Sequence, residues 1–320
     1  MKQRVAAVVV TFNRKQLLTE CLDALLAQQE PVERIILIDN ASSDGTPELL
    51  AERGYLAEPR IDYVRSPSNT GGAGGFHEGI KRAFEQGYDW FWIMDDDAEP
   101  LPDALAIVAP YLTAEYAAVA NLKVGKDGIP QYTHRGWFDR DILSPGPVRP
   151  ITAADLKVPV LEIDHASFVG LLVSRRAVEA IGLPRAEFFI HYDDVEYSTR
   201  LRQFGRMILV RDSVVRHKDA AKSALEEKRG LGKTALRVPY QRFWLDYFGT
   251  RNRIYVKRRI LGGLSGLLFL AWEFLKLLRA SVAVLRYDDH KWRRLRFIWS
   301  AAMSGFFGVF DNTRSRKILY

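Results

Sequence analysis

Five bulky apolar residues, Trp90-Phe91-Trp92-Ile93-Met94, run straight into three carboxylates, Asp95-Asp96-Asp97, and this junction constrains the fold more than any other part of the chain. So hydrophobic a run reads as a central strand, and three acids at its end are costly unless something cationic sits beside them. In open α/β sheets, ligands bind outside the carboxyl ends of such strands. Strand periodicity sends Asp95 and Asp97 to one face and Asp96 to the other, so the outer pair can hold one divalent cation while Asp96 faces a nucleotide or the scaffold. The competing reading is a solvated acidic turn continued by Glu99 and Pro100; placement at the end of a central strand favours the ligand site.

The surrounding pattern supports that placement. Strand-like runs at residues 5–12, 34–39, 61–66, 90–95 and 117–124 alternate with helical spacing at 16–28 and with Thr46-Pro47, read as an N-cap and first-turn proline, closed by Gly54. Successive βα units predict an α/β fold with a mostly parallel central sheet. Glycines and prolines interrupt any period over 125–160, an expected irregular insertion, and a second short α/β stretch runs to residue 217. A linker at 218–237 then leads to a helical region at 238–320, with helices expected at 238–259, 263–286 and 291–308. The opening run reads as a first strand rather than a signal peptide.

Charge divides the chain in the same way. Residues 1–210 carry 22 basic and 30 acidic side chains, a net of −8, whereas 211–320 carry 24 and 9, a net of +15. The two regions face different partners. The single cysteine, Cys21, falls on the apolar face of the first predicted helix with Leu17, Leu18, Leu22, Leu25 and Leu26, a packing position, and the lack of a disulfide framework fits a reducing cytosol.

Three further segments carry chemistry. Asn69-Thr70-Gly71-Gly72-Ala73-Gly74-Gly75-Phe76 lies between a strand and a predicted helix, where side-chain-free backbone can approach a phosphate or sugar; taken alone, a flexible loop explains it equally well. The spacing matches neither the P-loop nor the dinucleotide fingerprint. His191-Tyr192-Asp193-Asp194 opens a helix; dipole complementarity accounts for one or two acids there, but two adjacent carboxylates raise each other's proton affinity, which suits a general base. His217 ends an apolar run, usually the place of a plain polar residue.

Together these stretches resemble glycosyltransferase family 2, whose nucleotide-binding α/β fold is called GT-A, over about residues 4–217, a span of ordinary domain size. The segments Val8-Val9-Val10-Thr11-Phe12-Asn13-Arg14 and Ile38-Asp39-Asn40-Ala41-Ser42-Ser43-Asp44-Gly45-Thr46 look like that family's nucleotide-binding runs. The resemblance implies donor contacts by Thr11, Asn13, Arg14, Asp39, Asn69, Gly72, Asp95 and Asp96. It implies metal ligation by Asp95 and Asp97 with His217, and Asp194 as catalytic base. Trp137, His165, Phe168 and Asp193 are candidate acceptor-side residues, although an aromatic in such a setting serves a core at least as well. Within the family, the runs at 69–76, 94–97 and 192–194 look most like bacterial galactofuranosyltransferases using UDP-galactofuranose. A dTDP-rhamnose-dependent rhamnosyltransferase and a non-catalytic sugar-nucleotide-binding scaffold are the alternatives.

The implied reaction is an inverting, metal-dependent transfer to a glycan or lipid-linked glycan acceptor in cell-surface polysaccharide synthesis. Oxygen ligands admit Mg²⁺ or Mn²⁺, and an imidazole tilts the choice towards Mn²⁺. In the C-terminal region, Lys257-Arg258-Arg259 and Arg293-Arg294-Arg296 stand beside Trp244, Trp272, Trp292 and Trp299, a combination that favours anionic lipid. The charge-free run 261–272 is cut short of a span by Glu273, Lys276 and Arg279. The expectation is a cytoplasmic protein held peripherally at the inner face of the bacterial membrane; an ordinary helical appendage forming a homo-oligomer is the plainer reading. No recognised nucleic-acid module accompanies the basic region, so nucleic acid is not an expected partner.

Overall fold

The computed structural model describes residues 3–218, 226–230 and 233–320; parts of the expected linker therefore lie outside the described residues. The chain divides into two compact units. Met1–Trp137, Val148–Ala186 and Asp194–Ala220 form the first, and Phe138–Pro147, Glu187–Asp193 and Ala221–Tyr320 the second. Two short segments from within the first 217 residues thus group with the C-terminal helices.

The first unit opens with β1 (Val5–Thr11), α1 (Lys15–Leu26), β2 (Arg34–Asp39), α2 (Thr46–Glu52), β3 (Ile61–Arg65), α3 (Gly71–Glu85) and β4 (Trp90–Asp95). It continues with β5 (Ala98–Pro100), α4 (Ala104–Val108), β6 (Tyr116–Val124), β7 (Arg135–Phe138), β8 (Val148–Pro150), β9 (Val160–Ile163), β10 (His165–Ala166), β11 (Leu171–Ser174), α5 (Arg175–Ile181), α6 (Asp193–Phe204) and β12 (Arg206–His217). The main sheet has the order β3-β2-β1-β4-β11-β6-β12-β5, with β9 also on β12. Its longer pairings, β3 to β2, β2 to β1, β1 to β4 and β6 to β12, are parallel; β11 enters antiparallel between β4 and β6. This is the mixed, mostly parallel α/β sheet that the alternating pattern predicted.

The strands are apolar on both faces because helices cover both. Ala6, Val8, Val10, Phe91 and Ile93 enter one core with Phe76, Ile80 and Ala83 of α3, whereas Ala7, Val9, Trp90, Trp92 and Met94 enter the other with Leu18, Leu22 and Leu25 of α1. Cys21 belongs to that second core, and burial pushes its thiol pKa well up, as expected of a packing cysteine. At α2 the helix starts one residue differently from the sequence reading: Gly45 holds the cap position at φ 85°, and Thr46 is already helical with its hydroxyl on Asp44.

The glycine-rich segment is mostly the first turns of α3 rather than a loop. A Cβ on Gly75 would lie 2.5 Å from Val10 Cγ1, and one on Gly79 would lie 2.4 Å from Val8 Cγ1. Missing side chains there let α3 lie flush on β1. Asn40, at the end of β2, secures the helix start by donating to Gly71 O and accepting from the Thr70 hydroxyl.

The second unit contains a hairpin of β13 (Glu226–Gly230) and β14 (Lys233–Arg237), then α7 (Asp246–Leu261), α8 (Gly263–Tyr287), α9 (Lys291–Phe307) and α10 (Arg314–Leu319). Its interior is aromatic, with Phe243, Tyr247, Phe248 and Phe297 in one cluster. Two buried pairs are matched here: both Arg253 Nη atoms donate to the Glu273 carboxylate at 2.8 and 2.7 Å, and Arg237 pairs with Asp288.

Candidate active site

The sheet's topology assembles the acidic site. Asp95 ends β4, and Asp96 and Asp97 turn the chain into β5, which pairs with the end of β12 so that His217 lies opposite Ala98. A histidine 120 residues downstream of the triplet is thereby set against it. His217 Nε2 lies 3.0 Å from Asp97 Oδ1, and one donor atom each from Asp95, Asp97 and His217 all fall within 4.8 Å of one another. Burial, then the charges of Asp97 and Asp96, push the Asp95 pKa well above the carboxylate range.

Two carboxylates and an imidazole at this spacing suit a divalent cation. His217 adds a direct sign of fit: its buried Nδ1 has no hydrogen-bond partner among the described residues, a cost that a ligand or second-sphere contact would remove. The middle aspartate has a different role. Asp96 accepts from the Thr11 hydroxyl at 2.7 Å, and Arg14 Nη1 bridges Asp96 and Asp97 at 3.2 and 3.1 Å. Burial raises the Asp96 pKa to about 6 even against Arg14 and Thr11.

The residues expected around the donor gather at the carboxyl ends of β1, β2 and β4, several of them engaged with one another. Asn13, at φ 54°, accepts from Ser43 N at 2.7 Å. Asp39 is fully buried, accepting from Ser42 N and from the Tyr63 hydroxyl, each at 2.8 Å. Asn69 Oδ1 accepts from Gly71 N, and Gly72 stands half-buried in the first turn of α3 with room around it. Thr11, Asn13, Arg14 and Asp39 thus shape the loops that follow β1, β2 and β4 through contacts within the protein.

Asp194 stands in the first turn of α6, half-buried, and burial raises its pKa to about 6 while Lys123 and Arg135 pull it down. Lys123 acts on Asp95 in the same way, so one buried ammonium lies within electrostatic reach of both the metal-type cluster and Asp194. Sequence reasoning missed Lys123, Arg135 and His134. Lys123 left a readable trace as a charge within the apolar run 117–124. Arg135 left none, because its role is tertiary: wholly buried, it donates to the carbonyls of Asn121, His134 and Val169 and to the Ser167 hydroxyl. Desolvation lowers its pKa to about 9. His134 is held neutral, its pKa driven to about 3 by burial and then by Lys123 and Arg135.

The expected acceptor-side residues separate on burial. Trp137 is half-exposed, with the Arg149 guanidinium 4.6 Å above its ring. His165 is buried and neutral, Nδ1 lying 3.3 Å from the Ser198 hydroxyl. Phe168 is a core residue, edge-on to Phe76 at 5.0 Å and to Tyr197 at 6.0 Å. Asp193 is buried at the start of α6. It closes a strained segment in the helical unit, where Phe189, His191 and Tyr192 adopt φ of 65°, 67° and 62°. Asn252 of α7 donates to the carbonyls of Phe188, Ile190 and His191, and Arg251 to those of Glu187 and Phe188. Those bonds hold a conformation the residues would otherwise avoid.

The likenesses to known proteins agree with this geometry. Residues 6–182 match the family model described as glycosyl transferase family 2. The chain is 32% identical over 211 residues to galactofuranosyltransferase GlfT1 of Mycobacterium tuberculosis strain H37Rv, covering 64% of this chain and 66% of that protein. It is 29% identical over 206 residues to the protein of the same name from Mycolicibacterium smegmatis, covering 63% and 66%. The match thus spans just under two thirds of either relative's length. In fold, the chain is similar to a mannosyltransferase from Pyrobaculum calidifontis solved with GDP-Man and Mn²⁺, with TM-score 0.52 and 18% identity over 97% of this chain and 88% of that one. With more than half its length matched by the family model and its sheet arranged as in GT-A proteins, the chain belongs to glycosyl transferase family 2.

Proposed function

We propose that this protein transfers galactofuranose from UDP-galactofuranose to a hydroxyl of a glycan or lipid-linked glycan, inverting the anomeric centre in one displacement. The observation that carries this reading is the convergence, within one unit, of a cation-type cluster of Asp95, Asp97 and His217 with a half-buried carboxylate, Asp194, both under the field of Lys123. The likeness to two galactofuranosyltransferases supports the choice of sugar.

Asp95, Asp97 and His217 would hold Mn²⁺ or Mg²⁺, which when bound supplies Lewis-acid stabilisation of the departing diphosphate. The chain's own groups do the rest. Thr11 and Arg14 fix Asp96 and Asp97 so that the triplet does not splay under its own repulsion. The Gly71 to Gly75 turns of α3 present helix N-terminal backbone at the end of the sheet, a favourable setting for a phosphate. Asp194 takes the proton of the attacking hydroxyl; a pKa of about 6 makes it a stronger base than an ordinary aspartate yet leaves it ionised at neutral pH. The α/β unit is the catalytic domain in this reading, and the basic helical unit places the protein at the inner membrane surface, where lipid-linked acceptors are found.

The test is release of the donor's nucleoside diphosphate and product formation with UDP-galactofuranose, against UDP-galactopyranose and dTDP-rhamnose, with and without Mn²⁺. Turnover restricted to UDP-galactofuranose and abolished by chelation is the expected result. Preference for dTDP-rhamnose moves the protein to the rhamnosyl branch, and the absence of metal-dependent turnover of any donor leaves only a binding role.

A further inference from the structure

Helix α8 is apolar on two faces, and among the described residues only one of them is covered. Gly266, Phe269, Glu273, Leu277 and Val284 are buried, and Phe269 and Leu277 share a cluster with Ile254 of α7 and Ala302 of α9. On the opposite side, at helical spacing, Leu264, Leu267, Leu268, Leu275, Leu278, Val282 and Leu285 are each between 44% and 71% exposed, with Phe274 at their margin. At 1.5 Å per residue the exposed stripe is about 30 Å long. Nothing in an ordinary soluble helix calls for this, because an exposed contiguous apolar patch of such extent normally marks an interaction site.

Charge identifies the occupant. From residue 258 to 296 the chain exposes Arg258, Arg259, Arg279, Lys291, Arg293 and Arg296, while Glu273 and Asp288 are buried in ion pairs and Asp289 is the one exposed acid. Trp292, just past the end of α8, is 80% exposed. An apolar stripe bordered by cations and an exposed tryptophan complements an anionic lipid surface. A transmembrane role is not available to it: no described helix is long and apolar enough to cross a membrane, and the inner face of α8 is packed on protein.

We infer that α8 lies in the plane of an anionic membrane interface, its exposed leucine stripe seated at the boundary between headgroups and acyl chains. The inference deepens the membrane part of the proposed function by naming the surface that makes the attachment, and it is independent of which sugar is transferred.

The test is flotation of the full chain with phosphatidylcholine vesicles, with and without phosphatidylglycerol, comparing wild type with the double variant Leu267→Glu/Leu278→Glu and with Arg279→Glu/Arg293→Glu. Both pairs are exposed, so the variants should keep the wild-type thermal midpoint and UDP-induced shift. Wild type should float with the anionic vesicles, the leucine variant should lose binding by at least about tenfold, and the arginine variant should weaken it mainly at low salt. Wild type failing to float, or the leucine variant floating as well as wild type, overturns the inference. So does a wild-type dimer in sedimentation that the leucine variant dissolves without any vesicle binding, which would make the stripe an interface between two copies. Inactivity of the protein towards all sugar nucleotides would remove the transferase reading and leave the flotation result intact.

Discussion

The two units differ in where uncompensated buried charge is concentrated: in the α/β unit three raised carboxylates, Asp95, Asp96 and Asp194, share the sheet's acidic site or the field of one lysine, whereas among the described residues of the helical unit Asp246 stands by itself. In the helical unit several buried ions meet their complements, Arg253 with Glu273 and Arg237 with Asp288, while burial raises the pKa of Asp246 to about 6 and lowers that of Arg251, which donates to backbone carbonyls. In the α/β unit, Asp95, Asp96 and Asp194 are crowded together or buried with too little positive charge, and their pKa values rise. Matched charge holds a structure, whereas a deficit of compensation stores the capacity to bind a cation or take a proton. The chemistry should therefore reside in one unit and respond to conservative changes there, while equally buried polar residues of the other should register mainly in stability.

The largest effect that would break this contrast concerns Asp194. Asp194→Asn should lower transfer by roughly 10³-fold with donor binding retained, since the amide cannot accept the proton; unimpaired turnover would remove the base from the scheme. Chelation should abolish turnover similarly, and Asp97→Asn should raise the Mn²⁺ concentration needed to restore it, as metal titration would record. In the helical unit, Asn252→Ala removes the amide that donates to Ile190 O and His191 O, while Phe188 O keeps Arg251, and should cost about 2–3 kcal/mol in denaturant unfolding. The sharper probe is pH. As the proposed base, Asp194 must be ionised to act and its pKa is raised to about 6, so the transfer rate should be level above pH 7. It should then fall about tenfold per unit below pH 6, a limb that a solvent-exposed aspartate would place near pH 4. The smallest effect is expected at Arg206, whose pairs with Glu115 and Glu162 are open to solvent; Arg206→Ala should leave the denaturation midpoint unchanged.

Much of the α/β unit was legible because its signals are local. The runs at 5–12, 34–39, 61–66, 90–95 and 117–124 became β1, β2, β3, β4 and β6 to within a residue at their ends, since a strand covered on both faces has no alternative to a continuous apolar run. Helix α3 was less legible. Glycine is a poor helix former, and of the five that fall within nine residues of it, Gly75 and Gly79 are explained only by the approach of Val10 and Val8. The segments 138–147 and 187–193 belong with the helical unit by packing, which no local pattern announces. Phe168 illustrates the limit on single residues: its sequence setting fits a binding surface and a core equally, and its contacts with Phe76 and Tyr197 put it in the core.

The amino-acid order alone determined that a strongly apolar strand must end in three carboxylates, that βα units must surround it, and that the basic charge must collect in the last third of the chain. These are consequences of hydrophobic period and composition, which act over a few residues at a time. The tertiary structure alone decided that His217 meets Asp97, that Lys123 lies in the field of both Asp95 and Asp194, and that one face of α8 is left uncovered. Each of these depends on which strands pair and which helices pack, and such choices are made by contacts between residues tens to over a hundred positions apart.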